Sequence, residues 1–228
     1  MKRKKSSGSV MGDPQRTSYD YMKFLKNKYG SADVLVVDDV DGLHGIPFTR
    51  KGHKTTIYES DSRYITGGII DTFNVLGLKK RLQYEELKNI TINNSNYEQA
   101  IEKKYEFIYC YRSLHRESNK HISMMKKLRK LLSSVKENGY IYIFYHIAKN
   151  ENDVRNFSRD RYFRKGEMVT FFDKSNWEII SIKEFDVLTN HKLHPHRKSE
   201  HTHKVGHIFA QRKNNRLVYK YNFNIIAS

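Results

Sequence analysis

A single cysteine, Cys110, stands in the 228 residues, so no internal disulfide staples the chain. No apolar run approaches the roughly 20 residues that a membrane-spanning helix needs. The basic start, Met1 to Ser9, leads into polar Gly12-Asp13-Pro14 and lacks the apolar core of an export signal. The expectation is a soluble, cytoplasmic protein with residues 1–18 as a basic flexible arm. Acid is also scarce: 25 Asp and Glu face 42 Lys and Arg, a formal charge of +17. That balance favours phosphates or other anions as partners and identifies none. What is present is core material, 38% apolar and 13% aromatic residues, which excludes global disorder despite a mean hydropathy of −0.77. The length suits one α/β domain, taken as 19–213, followed by an extension, 214–228, whose Arg216 to Ala227 stretch reads as an extra strand or a docked tail.

The pattern along the chain alternates. Tyr21, Phe24, Leu25 and Lys28 suit a short amphipathic helix over Tyr19 to Tyr29, closed by Gly30. Val34-Leu35-Val36-Val37 is the run of a strand buried on both faces, which points to a parallel sheet. Leu43 to Arg50 has room for a short helix, with Pro47 limiting where it starts. Strands follow at Lys54 to Tyr58, Ile90 to Asn93 and Tyr105 to Tyr111, with a helix expected around Tyr64 to Leu76. Met124, Leu128, Leu131 and Val135 share one face of a helix from about His121 to Val135, ended by Asn138-Gly139. Tyr140 to Tyr145 is an aromatic and β-branched strand. Gly166 to Lys174 suits a helix. Trp177 to Asp186 and Lys204 to Gln211 suit an antiparallel pair added to the parallel sheet.

In an open α/β sheet, ligands bind beyond the carboxyl ends of the strands, so the residues after each strand carry the chemistry. Asp38-Asp39-Val40-Asp41-Gly42-Leu43-His44-Gly45 follows the first strand and Glu59 ends the second. A carboxylate there can accept both hydroxyls of an adenosine ribose, and Gly42 lets backbone approach a ligand. Three aspartates beside the loop oppose a pyrophosphate, so a dinucleotide fits poorly.

This ordered series resembles the class I S-adenosylmethionine-dependent methyltransferases, particularly the small tellurite-resistance-type members. The resemblance runs through Val34 to Asp38 with Gly42, Arg50 to Glu59, Tyr105 to His115, Glu137 to Ile143, Phe163 to Glu167 with Trp177 to Ile180, and His201 to His203 before Ile208 to Lys213. It implies a Rossmann-like fold, a mostly parallel seven-stranded sheet with helices on both faces and an antiparallel C-terminal strand. It implies S-adenosyl-L-methionine as cofactor and a methyl acceptor that the sequence does not identify. Carried over residue by residue, Asp38 and Gly42 approach the methionine part, Glu59 the ribose, and Ser95 or Asn96 the adenine edge. Tyr109, Tyr111 and Arg112 line the pocket beside the sulfonium.

Where the family reads acidic-x-Gly-x-Gly-x-Gly, this chain has Val40 and His44 at or near glycine positions. His115 and His146, each near a strand's carboxyl end, are the candidate catalytic bases, because a neutral imidazole accepts a proton near pH 7. His191, His194, His196, His201, His203 and His207 have no cysteine near them and match no standard zinc module, so a surface loop is expected and no metal. Tyr111-Arg112-Ser113-Leu114 stands where amino-group DNA methyltransferases carry an Asn/Asp-Pro-Pro-aromatic run, which disfavours DNA-base methylation. Lys2 to Lys5, Lys79 to Arg81, Lys126 to Lys130 and Arg212-Lys213 are the candidate RNA or DNA contacts. The competing reading is a noncatalytic protein of the same fold that binds nucleic acid or another anion through this basic surface.

Overall fold

The computed structural model describes residues 16–70, 73–114, 124–148, 162–189 and 201–214. Its first half runs α1 (Arg16–Tyr29), β1 (Asp33–Val37), α2 (Gly45–Arg50), β2 (Lys54–Tyr58), α3 (Ser62–Thr66), β3 (Gly68–Ile70), β4 (Phe73–Val75) and α4 (Leu78–Arg81). The second half adds β5 (Ile90–Asn93), α5 (Tyr97–Ala100), β6 (Tyr105–Tyr111), α6 (Met124–Ser133), β7 (Val135–Ile147), β8 (Trp177–Thr189) and β9 (His201–Arg212).

Val34 to Val37 offer water no polar side chain on either face, and all four are buried. β1 therefore sits mid-sheet in the order β5-β2-β1-β6-β7-β9-β8. It pairs in parallel with β2, Val37 opposite Tyr58, and with β6, Val36 opposite Tyr109. The chain steps outward from β1 to β2 and β5 and then returns to β6 on the other side, so a topological switch point opens between β1 and β6. β9 runs antiparallel to both β7 and β8.

Alternation along the strands divides the core. Leu35, Val37, Ile108, Cys110, Ile141 and Ile143 pack with Leu128 and Leu131 of α6 and Tyr97 of α5. Val34, Val36, Phe107, Tyr109 and Tyr142 pack on the opposite face with Met22 and Leu25 of α1 and Phe48 of α2. Tyr21 holds α1 in place, its ring 4.8–5.5 Å from Phe107, Tyr142 and Phe209. The mostly parallel seven-stranded sheet with helices on both faces is thus as the sequence implied.

Several local expectations are corrected. α1 starts at Arg16, inside the segment read as arm, because Ser18 is buried one turn before Met22 and Leu25. The helix expected over Tyr64 to Leu76 stops at Thr66: Gly67 and Gly68 take φ of 98° and 155°, and the following residues form the β3–β4 hairpin. Val135 belongs to β7, because α6 ends at Ser133. Asn138-Gly139 consequently lies inside β7, where the pairing with β6 shifts register between Tyr105 and Phe107. Only a 3₁₀ turn, Glu167–Phe171, forms within Gly166 to Lys174. The late strands run longer than expected, with Gly206 of β9 leaving room for the Tyr145 ring; an added Cβ would sit 2.4 Å from Tyr145 Cζ. Residues 1–15 of the arm and Arg216 to Ala227 lie outside the described residues.

Candidate active site

The loop leaving β1 keeps a glycine-like path without all the glycines. Asp38, Val40 and Gly42 take φ of 50°, 59° and 83°. A left-handed valine costs about 1–2 kcal/mol relative to its ordinary conformations, so something must hold it. Glu59 does. Fully buried at the end of β2, it accepts the Val40 N–H at Oε2 (2.9 Å) and the Asp61 N–H at Oε1 (3.0 Å). Asn94, just past β5, donates its side-chain amide to the carbonyls of Glu59 (2.9 Å) and Ser60 (3.1 Å).

Asp39 accepts the N–H groups of His44 (2.8 Å) and Gly45 (2.6 Å), satisfying amides that the first turn of α2 leaves free. Burial pushes its carboxyl up to about 7 against the pull of those two amides, with the charges of Asp41 and Glu59 adding to the rise. Gly45 admits no side chain: a Cβ would lie 2.3 Å from Ile57 Cδ1 and 2.7 Å from Asp39 Oδ2. Asp41, also buried, pairs with Arg81 at 3.0 Å. The β1–β2 side of the switch point therefore holds four buried carboxylates, those of Asp38, Asp39, Asp41 and Glu59.

The β6 side is aromatic. His44 is buried, with its ring 4.8 Å from Tyr109 and 5.0 Å from Tyr111. Burial, with the Arg112 cation adding to it, pushes the imidazole down to about 3, so it is neutral at physiological pH. Arg112 turns back over the sheet end at φ 58°, its guanidinium carbon 5.3 Å from the Tyr111 ring and 5.6 Å from Phe144. Ser113 donates its hydroxyl to Asp38, tying the β6 end to the β1 end.

Both nitrogens of His44, the Tyr109 hydroxyl and the Ser60 hydroxyl are buried without a hydrogen-bond partner among the described residues. Such groups normally find partners, because each one left unmatched costs about 1–3 kcal/mol. Ser60 follows β2, His44 precedes α2 in the loop after β1, and Tyr109 lies near the carboxyl end of β6.

Of the residues expected at the site, Asp38 bonds Ser113 next to Arg112, Glu59 bonds the Val40 loop that leads to Gly42, and Tyr109 stacks beside Tyr111, over which Arg112 sits. Ser95 and Asn96 are half-buried beyond β5, and Asn94 is the residue there that bonds to the Glu59 segment. His146 is half-buried near the end of β7, its ring 6.3 Å from Phe144 and 6.2 Å from Tyr162. His115, His191, His194 and His196 lie outside the described residues. His201 and His203 fall in β9, and half-buried His207 packs on Tyr142 and Phe185. Sequence reasoning missed Asp39, Asn94 and His44 as participants. For His44 the signal was there, a bulky side chain at a glycine position.

No family model and no curated protein matches the sequence. Solved structures do match in fold. TehB from Haemophilus influenzae superposes with a TM-score of 0.59 at 14% identity, over 86% of this chain and 62% of TehB. A SAM-dependent methyltransferase from Methanosarcina mazei gives 0.59 at 12% identity, over 89% of this chain and 99% of its own. Magnesium protoporphyrin IX methyltransferase from Synechocystis PCC 6803, with bound SAH, gives 0.58 at 11% identity, over 87% and 83%. The fold is the Rossmann-like methyltransferase fold.

Proposed function

We propose that the protein is an S-adenosylmethionine-dependent methyltransferase. The observation that carries this reading is the placement of the unpartnered buried groups. Ser60 lies beyond β2, on the ribose side, and His44 and Tyr109 lie across the switch point beside β6. A polar ligand laid across the strand ends would meet all three residues, and a cofactor with an adenosine at one end and an amino acid at the other has that length and polarity. The buried acids Asp38 and Glu59 at the strand ends suit a positively charged ligand beside them.

In this reading Glu59 faces the ribose, Gly42 and Asp38 the amino-acid part, and the segment Asn94 to Asn96 the adenine edge. Glu59 does two jobs, since it also fixes the loop through Val40 and Asp61. Asp39 and the amides of His44 and Gly45 make the start of α2 rigid. Tyr109, Tyr111 and Arg112 border the transfer end. What the cofactor supplies is a methyl group on a sulfonium, passed to an acceptor atom as the carbon–sulfur bond breaks and its electron pair returns to sulfur. The chain's contribution is alignment and partial exclusion of water. His146 is the candidate base among the described residues, half-buried at the end of β7.

Calorimetric titration of the full chain with S-adenosylmethionine and S-adenosylhomocysteine tests the reading. Micromolar binding of both supports it. Absence of binding overturns it.

A further inference from the structure

Resting on the methyltransferase reading, the charges around the switch point also speak to the acceptor. The carboxylates on the β1–β2 side are engaged: Asp38 with Ser113, Asp39 and Glu59 with backbone amides, Asp41 with Arg81. Across the opening Arg112 is exposed and makes no hydrogen bond or ion pair among the described residues. Its contacts are the ring faces of Tyr111 and Phe144. Stacking occupies one face of a guanidinium and leaves the N–H groups in its plane free for a bidentate anion. The aromatic wall continues from Phe144 to His146 and Tyr162. The His44 ring, its nitrogens buried and without a partner among the described residues, lies 5.0 Å from Tyr111.

We propose that Arg112 docks an acidic group on a planar aromatic acceptor, whose ring lies against the half-buried rings of Tyr111, His146 and Tyr162. The acidic group is a handle and is not the atom methylated, because a bidentate guanidinium engages the oxygen lone pairs that a nucleophile would need. A carboxylate and a phosphate share this chemistry.

The test uses the full chain in 0.15 M salt, which screens general attraction to a basic protein. Benzoate, phenyl phosphate, benzamide and acetate are titrated by ligand-observed NMR, with and without S-adenosylhomocysteine. Benzoate or phenyl phosphate is expected to bind at least tenfold tighter than either benzamide or acetate, and the tighter of the two names the acidic group. Arg112→Met should abolish that preference while keeping the parent's urea unfolding midpoint, and Arg112→Lys should retain only part of the preference. Equal binding of acidic and neutral rings, or a preference that survives Arg112→Met, overturns the proposal. So does a tenfold loss of S-adenosylhomocysteine affinity in Arg112→Met, which would place Arg112 on the cofactor. If the parent chain ignores S-adenosylhomocysteine, the methyltransferase reading fails, and the benzoate and benzamide comparison still decides the anion site.

Discussion

Replacing Glu59 should damage the site and the fold together, in a ratio that can be worked out. Glu59→Ala removes two carboxylate–amide hydrogen bonds, at 2.9 and 3.0 Å. Bonds of this charge-assisted kind contribute about 1.5–3 kcal/mol each. Val40 and Asp61 are only half-buried, so water can recover part of the loss. The expected cost is about 3 kcal/mol, or a fall in Tm of about 6–12 °C for a domain of this size. Glu59→Gln keeps the shape and one acceptor oxygen, and should lose about half as much. Both variants should bind S-adenosylmethionine at least tenfold more weakly, a loss of about 1.4 kcal/mol. Urea unfolding followed through Trp177, run beside a calorimetric titration, reads both quantities. If Glu59→Ala keeps the parent's unfolding midpoint, Glu59 does not anchor the loop. If it folds and binds with the parent's affinity, Glu59 does not belong to the cofactor site.

Val40→Gly should be neutral or stabilising by up to about 1 kcal/mol, because it relieves a left-handed valine; a clear drop in the urea midpoint would show that the Val40 side chain outweighs the strain. Gly206→Ala should cost about 1–3 kcal/mol, since its Cβ would overlap Tyr145, and unchanged thermal unfolding would refute that packing. The Asp39 carboxyl, raised to about 7, contributes stability that is full below about pH 4 and lost as pH rises through 7, whereas neutral His44, lowered to about 3, loses its contribution as pH falls below about 6.5. Asp39→Asn should therefore gain on the parent between pH 5 and pH 8, and denaturation midpoints that stay parallel across that range would contradict the raised value. Burial pushes the Cys110 thiol up to about 12, so a disulfide reagent should label it only after unfolding; fast labelling of the native chain would contradict that.

The sheet was legible because Val34 to Val37 is the unbroken apolar run of a buried parallel strand and the other strands are short runs rich in β-branched and aromatic residues. Lys54 to Tyr58, Ile90 to Asn93 and Tyr105 to Tyr111 form with the bounds their patterns suggested. Residues 62–76 were not legible as a hairpin, because Tyr64, Ile65, Ile69 and Ile70 also satisfy a helical spacing, and the Gly67-Gly68 pair decides against it. Glu59 and Asp38 were singled out from their place after strands. Asn94 was not, since its partners are backbone carbonyls that no side-chain pattern announces. Nor was the role of Asp39, which depends on how α2 starts.

The bond between Val40 and Glu59 also bears on the order in which the molecule assembles. Its two ends are 19 residues apart, just past different strands. The loop's unfavourable dihedrals are thus sustained only after β1 and β2 have paired, and only in the correct register. A slip of one residue would present Tyr58 or Ser60 to the Val40 amide, neither of which carries a carboxylate, and the strand faces would invert with it. A chain caught partway through folding therefore has no partly working pocket. The site arrives late and whole, so ligand binding during refolding should lag behind the recovery of strand structure.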